Sequence, residues 1–127
     1  MQGSNRLIEL TDSLEAFVVP KIFLISKEQH EFVLTRQFLR SCTSIGANAR
    51  EAKMAQSRRD YISKLSISRA ECFESFVWLK NLHLAKLISD DERSLVFDIL
   101  TQIHKILNRS ITTWAWGKMQ EHEIMEQ

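Results

Sequence analysis

With 127 residues the chain is long enough to bury a core of its own, and 44% apolar and 26% charged residues are the balance of a soluble globular domain. Three glycines and one proline argue against a turn-rich all-β fold, and two cysteines exclude a disulfide framework, so long helices and reduced thiols are expected. The formal net charge of +1 at pH 7 excludes the strongly basic composition of many nucleic-acid-binding domains.

The first predicted helix covers residues 5–25, where apolar residues recur every three or four positions. Pro20 falls inside this pattern, and because it lacks a backbone N–H it should kink the helix or split it near Val19. Ser26 and Gln29 have the spacing of a capping box, in which two side chains satisfy each other's backbone N–H groups. This pair predicts that a second helix begins here and spans residues 27–55.

Along the second helix the apolar positions change from large residues to glycine and alanine, which lets two helix backbones approach closely. Ser57 with Asp60 predicts the start of a third helix over 58–87, and Ser89 with Glu92 the start of a fourth over 90–116. The linkers are only a few residues long, so consecutive helices must be antiparallel neighbours. The predicted fold is all-α: one antiparallel up-down four-helix bundle formed by residues 1–127.

A flexible C-terminal tail is expected after the fourth helix. Trp114 and Trp116 lie two positions apart, so they cannot both face the bundle. In one interpretation, at least one of the two tryptophans is exposed or contacts another subunit. In the other, one tryptophan folds back over the end of the bundle and the rest of the tail frays.

Positive charge is concentrated in the middle of the chain. Residues 36–69 hold eight basic against two acidic residues, for a charge of +6, whereas residues 1–35 carry −2 and residues 70–127 carry −3. The basic segment either forms a surface for a polyanion or pairs with the acidic flanks, within one subunit or between subunits, and the low overall charge favours pairing. The candidate nucleic-acid contacts on the second helix and at the following corner are Arg36, Arg40, Arg50, Lys53, Arg58 and Arg59.

Three polar residues fall among small or apolar positions and are predicted to be buried and structural. Arg69 lies on the apolar stripe of the third helix, where an unpaired charge is costly, so it should have a carboxylate partner. Glu51 is the candidate because it comes late in the antiparallel second helix. Asn48 needs hydrogen bonds for its amide and could fix the register of two helices.

The sequence contains no recognisable catalytic constellation. No histidine lies four residues from another, and His83, on the third helical stripe, is interpreted as a histidine at the edge of the core. There is no C-x-x-C, P-loop, Rossmann glycine pattern, nucleophile elbow or Glu-x-x-His motif. We therefore predict a protein that is not an enzyme and has no catalytic residues, no metal site and no cofactor.

The sequence also predicts where the protein acts. No run approaches the roughly 18 apolar residues of a membrane span, so no membrane association is expected. The first residues lead into a segment with Glu9, Asp12 and Glu15, which is unlike a signal peptide. A cytoplasmic location is therefore expected.

Two runs of the middle segment, 39–52 and 60–71, resemble a bacterial four-helix-bundle family first noticed as open reading frames in intervening sequences of large-subunit ribosomal RNA genes. The likeness covers roughly residues 13–111, and it departs from the family at Ala49, where isoleucine is usual. More distantly, the chain is similar to the accessory variability proteins of diversity-generating retroelements. The most specific pattern, Arg-Ser…Ser-Ile-x-x-Asn-x-x-Glu-Ala, is carried by Arg40, Ser41, Ser44, Ile45, Asn48, Glu51 and Ala52.

The resemblance implies an antiparallel four-helix protomer that assembles into a ring-like homopentamer with a charged central pore. In the retroelement relatives, a basic ring surface contacts nucleic acid and a reverse transcriptase. Two functions therefore stay open. One is a non-enzymatic oligomeric scaffold that binds RNA, DNA or a ribonucleoprotein through the basic surface of the second and third helices. The other is a protein–protein interaction or assembly module without nucleic-acid binding, whose basic segment serves subunit contacts.

Overall fold

The computed structural model describes the backbone of residues 2–126 and the side chains of residues 5–113. Four helices follow one another, and the described backbone contains no strand: α1 (Gln2–Gln29), α2 (Leu34–Lys53), α3 (Arg58–Leu84) and α4 (Asp90–Glu126). Around the bundle α1 packs on α2, α2 on α3, α3 on α4 and α4 on α1.

Neighbouring helices run antiparallel, as their cross-contacts show. Arg6 near the start of α1 donates a hydrogen bond to Gln102 of α4, whereas Lys21, later in α1, pairs with Glu92, earlier in α4. The other pairs behave in the same way, with the end of each helix beside the start of the next because the turns are short. The predicted all-α, up-down four-helix bundle is confirmed.

Apolar side chains at helical spacing from all four helices form one core along the bundle axis. Burying a leucine or isoleucine side chain stabilises the fold by about 1.5–3 kcal/mol relative to leaving it exposed. The helices therefore owe most of their stability to this shared core. Its largest members, all less than 2% exposed, are Leu14, Ile45, Leu65, Leu79, Leu82, Leu100, Ile103 and Leu107.

The first helix continues through Pro20, so the expected split near Val19 does not occur. Proline removes one backbone donor and leaves the carbonyl of Ala16 without its helical partner. Ala16 and Pro20 are both exposed, so water can satisfy that carbonyl. The proline therefore lies on the exposed side of the helix, where the missing hydrogen bond costs the least free energy.

The second helix begins later than the sequence predicted. Ser26 and Gln29 lie in the last turn of α1, so their spacing does not mark a helix start and that prediction is wrong. The chain leaves α1 through His30, whose φ of 52° is in the left-handed region that histidine enters more readily than most residues. The second helix then starts at Leu34 and ends at Lys53 instead of spanning 27–55.

The start of α2 is capped by a carboxylate that the sequence analysis did not identify. Glu31 accepts backbone N–H groups of Val33, Leu34 and Thr35 at 2.9, 2.8 and 2.9 Å. Burial raises the pKa of Glu31, but these hydrogen bonds outweigh it and hold the pKa below its ordinary value of 4.5. One side chain thus satisfies three of the backbone donors that a helix start leaves without partners.

The starts of α3 and α4 agree with their predicted caps. The Ser57 hydroxyl accepts the Asp60 N–H at 3.0 Å, and Ser89 and Glu92 bond each other's backbone N–H groups at 2.9 and 3.1 Å. The third helix ends at Leu84 instead of residue 87, and Lys86 follows it with a φ of 60°. The fourth helix continues to Glu126, past the end expected at 116. The predictions for the side chains of Trp114 and Trp116 lie outside the described side chains.

Candidate nucleic-acid interface

Antiparallel packing sorts the charged residues between the two ends of the bundle. The end that contains the start of α1, the α2–α3 turn and the later part of α4 is here named the corner end and comprises residues 5–16, 44–70 and 104–113. It holds nine basic against five acidic residues, whereas the opposite end, residues 17–43 and 71–103, holds seven against eight. The basic residues of the corner end are Arg6, Arg50, Lys53, Arg58, Arg59, Lys64, Arg69, Lys105 and Arg109.

The six candidate contacts do not form one surface. Four of them, Arg50, Lys53, Arg58 and Arg59, lie around the α2–α3 turn, where Lys53 and Arg59 are exposed and Arg58 is half-buried. Arg36 and Arg40 lie at the opposite end, near the start of α2. The structure therefore brings four candidates together and separates two from them.

Arg40 is held by carboxylates of the neighbouring helix. Its Nη1 lies 3.1 Å from Glu71 Oε2, and its Nη2 lies 2.5 Å from Glu74 Oε1. The hydrogen bond to Glu74 raises the pKa of Arg40, and the same bond, with a second from Trp78, lowers the pKa of Glu74. This pairing occupies the Arg40 guanidinium within one subunit.

Part of the basic cluster at the corner end is also paired within the subunit. Arg50 contacts Asp12 of α1, and Lys53 Nζ lies 3.4 Å from Asn5 Oδ1. Glu15, on the same side of α1, is half-buried; desolvation raises its pKa although the nearby Arg50 guanidinium lowers it. Pairing of the basic segment with acidic residues of the same chain is thus observed for Arg40 and Arg50.

The predicted partner of Arg69 is wrong. Arg69 is half-buried and its Nη1 donates to Asn108 Oδ1 on α4 at 3.1 Å. Glu51 is exposed rather than buried, and its carboxylate lies 2.9 Å from Lys64 Nζ. The Arg69 side chain lies on the α4 side of α3, whereas Glu51 lies on α2, so the two residues do not form the predicted ion pair.

Asn48 does not fix the register of two helices. It is half-buried, and its amide donates to the Ser44 carbonyl of its own helix at 2.9 Å. The buried hydrogen bonds between α2 and α3 come instead from serine hydroxyl groups. Ser68 Oγ donates to the Ile45 carbonyl at 2.8 Å, and Ser75 Oγ donates to Ser41 Oγ at 2.8 Å.

The buried side of α3 differs in detail from the predicted stripe. Its buried residues alternate three and four positions apart: Leu65, Ser68, Cys72, Ser75, Leu79 and Leu82. Arg69 and His83, which the prediction placed on the stripe, are half-buried at its edge. The signal that could have identified the true stripe is the seven-residue spacing of Ser68 and Ser75, opposite the small residues of α2.

The side chains that could act as a nucleophile or a base, those of the two cysteines and His83, make structural contacts. Cys42 and Cys72 are both 0% exposed, and burial raises the pKa of each thiol to about 12, so neither supplies a thiolate near neutral pH. His83 Nε2 lies 2.6 Å from Asp90 Oδ1 across the α3–α4 turn.

Among the described residues, no group of three or more His, Cys, Asp or Glu side chains could hold a metal ion. No helix in that part of the chain is long and apolar enough to span a bilayer.

The fold and the sequence can be compared with known proteins. Residues 13–109, which include parts of all four helices, match the family model of the 23S rRNA-intervening sequence protein. The structure is similar to the crystal structure of a protein with unknown function from the S23 ribosomal protein family of Bacteroides thetaiotaomicron, with a TM-score of 0.83 and 36% sequence identity. The likeness covers 87% of this chain and 98% of that chain. No curated protein matches the chain.

Proposed function

The chain belongs to the 23S rRNA-intervening sequence protein family, and from this premise we propose that it is a non-enzymatic oligomeric scaffold that binds RNA or DNA through its corner end. The observation that carries the proposal is the uneven charge of residues 5–113, with nine basic against five acidic residues at one end of the bundle and seven against eight at the other. A phosphate backbone is attracted to such an end without regard to base sequence. A cytoplasmic location, where the protein meets ribosomal RNA, is part of the same proposal.

The contacts in this proposal are the exposed Lys53 and Arg59, with Arg50 and Arg58 beside them at the α2–α3 turn. One such corner neutralises only a few phosphates, so a single protomer binds weakly. A ring of protomers presents several corners to one nucleic acid, and the linked contacts then add up to a higher affinity. Assembly and nucleic-acid binding therefore depend on each other in this scaffold.

The test is a salt titration of RNA binding with two double variants of equal charge change. Lys53→Glu with Arg59→Glu reverses the corner, and Lys80→Glu with Lys86→Glu reverses two exposed lysines of the opposite end. We expect the wild-type affinity to fall steeply with salt, the corner variant to lose binding and the control to retain most of it. Undetectable or salt-independent binding by the assembled wild type, or an equal loss in both variants, would contradict the proposal.

The second candidate function is an assembly or protein-interaction module that binds no nucleic acid. The pairing of Arg40 with Glu71 and Glu74 favours the absence of nucleic-acid binding, because it occupies one guanidinium of the basic segment with carboxylates. Large apolar side chains that remain exposed on α3, such as Val77 and Leu84, are typical of protein contacts. Light scattering separates the two candidate functions. If the second is correct, the assembly formed by the corner variant has a lower mass than that of the wild type, and the wild type binds no RNA.

A further inference from the structure

A groove between α3 and α4, lined by residues of the corner end and by Phe73 just beyond it, combines an exposed aromatic ring with polar groups. It is shallow and opens widely to solvent, with a volume of about 530 Å³. The groove is lined by Ser66, Arg69, Ala70, Phe73, His104 and Asn108.

Arg69 is the charged group of this groove. Within residues 5–113 its hydrogen-bond partner is the neutral amide of Asn108, whereas Arg40 and Arg50 are paired with carboxylates. A guanidinium has five N–H donors in a fixed fork, so most of the donors of Arg69 stay available for an anion such as a phosphate. The Asn108 amide also lies 3.4 Å from His104 Nδ1, and this chain of contacts holds the guanidinium in the groove.

Phe73 supplies a flat apolar surface beside this charge. It lies four residues after Arg69 on the same face of α3, and 66% of it is exposed. Exposed aromatic rings next to arginine are the elements with which proteins hold unpaired bases, because every base has a face that can stack. The other α3 residues of the groove, Ser66 and Ala70, have small side chains.

We propose that this groove binds an unstacked nucleotide of a single-stranded nucleic acid, with its base stacked on Phe73 and its phosphate on Arg69. The proposal rests on the proposed function, and it adds a contact with a base to contacts with the phosphate backbone. Lys105 and Arg109, exposed on α4 beside His104 and Asn108 in sequence, supply charge for the neighbouring phosphates. The groove therefore discriminates single strands from duplexes, whose bases are stacked and out of reach.

The test compares one RNA sequence as a single strand and as a duplex, by fluorescence anisotropy, with wild type, Phe73→Ala and Phe23→Ala. Phe23 is the matched control because it is 62% exposed but lies on α1, on another side of the bundle. We expect Phe73→Ala to weaken single-strand binding by about tenfold or more and to leave duplex binding unchanged. Phe23→Ala should change neither, and Arg69→Gln, checked for folding by circular dichroism, should weaken single-strand binding.

Three results would overturn the proposal in different ways. If Phe73→Ala binds single strands like wild type while the corner double variant binds neither RNA, the groove has no role and the proposed function stands. If wild type binds neither RNA, both proposals fail. If Phe73→Ala changes the mass of the assembly in light scattering but not the binding, a second copy of the chain covers the groove.

Discussion

Gly46 allows α1 and α2 to approach each other closely. A Cβ atom built at this residue would lie 2.6 Å from Glu15 Oε1 and 3.3 Å from Thr11 Cβ. In Gly46→Ala, a gain of about 1 kcal/mol in helix propensity offsets the displacement of the Glu15 carboxylate, so the free energy of unfolding should stay within about 1 kcal/mol of wild type. Gly46→Val pushes methyl groups against Thr11, close to the α1 backbone. This variant should lower the free energy of unfolding by about 1–3 kcal/mol in urea denaturation.

The control for this series is Ala47→Val, because Ala47 is exposed on the same helix. It introduces the same β-branched residue without the contact to α1, and should cost only the small difference in helix propensity. If Gly46→Val is as stable as Ala47→Val, the close approach of the two helices does not depend on the glycine.

Glu31 should give the bundle a pH dependence. Its pKa is lowered in the folded state, so the unfolded chain takes up a proton first and stability is lost as the pH falls below 4.5 and through the lowered pKa. At pH 7, Glu31→Gln should lower the free energy of unfolding by about 1 kcal/mol, the usual cost of a lost helix cap. Urea titrations at several pH values should show this difference shrinking on acidification, and a constant difference would contradict the role. Glu28→Gln, an exposed change nearby, is the control.

The two thiols should react only when the bundle opens. Both are 0% exposed, and burial raises each pKa to about 12, so neither the access nor the thiolate that a disulfide reagent requires is present. We expect no reaction with an aromatic disulfide reagent at pH 8 and two reactive thiols per chain in denaturant. Rapid reaction of the native protein would show that α2 and α3 separate readily.

At the scale of the helices, the α2–α3 contact depends on small hydroxyl residues. Ser68 is 0% exposed and donates to the Ile45 carbonyl across the contact. Ser68→Ala should cost about 1 kcal/mol of unfolding free energy, the usual value of one hydrogen bond, and Ser68→Leu about 1–3 kcal/mol through overpacking. Ser63→Leu is the matched control, because Ser63 is exposed on the same helix. Equal unfolding curves for the two leucine variants would show that the helices do not need to approach closely.

The helices themselves were predictable because their signals are local. The apolar spacing of each helix and the Ser57 and Ser89 caps involve residues within one or two turns of each other. The start of α2 was predicted at the wrong residue because two local signals compete there. Ser26 and Gln29 have the spacing of a cap, but Glu31 offers three hydrogen bonds to the backbone beyond it, and the α1 core residue Ile25 holds the preceding turn in α1.

The polar partners were less predictable than the helices. The sequence indicates that Arg69 needs a partner, but α3 packs on two helices, and only the structure shows that the side chain reaches α4 rather than α2. The same limit applies to the candidate interface. Helical spacing places Arg36 and Arg40 on one side of α2, whereas antiparallel packing decides that they lie at the opposite end of the bundle from Arg59.

At the scale of the whole molecule, the fold turns a stretch of basic sequence into an end of the bundle. Acidic residues of α3 pair with Arg40, and Asp12 contacts Arg50, whereas Lys53 and Arg59 around the α2–α3 turn stay exposed. Stability and nucleic-acid binding should therefore depend on different arginines, although all of them belong to the same basic segment.

Arg40→Glu and Arg59→Glu test this separation, because each changes the charge by the same amount. Arg40→Glu removes two ion pairs and places a third carboxylate beside Glu71 and Glu74, so it should lower the free energy of unfolding by about 1 kcal/mol while the folded protein still binds RNA. Arg59→Glu changes an exposed residue, so it should alter stability by less than about 0.5 kcal/mol but weaken RNA binding severalfold. Urea denaturation and anisotropy on the same preparations measure both effects. If Arg40→Glu weakens RNA binding as much as Arg59→Glu does, the nucleic acid follows the length of α2 instead of binding at the corner end.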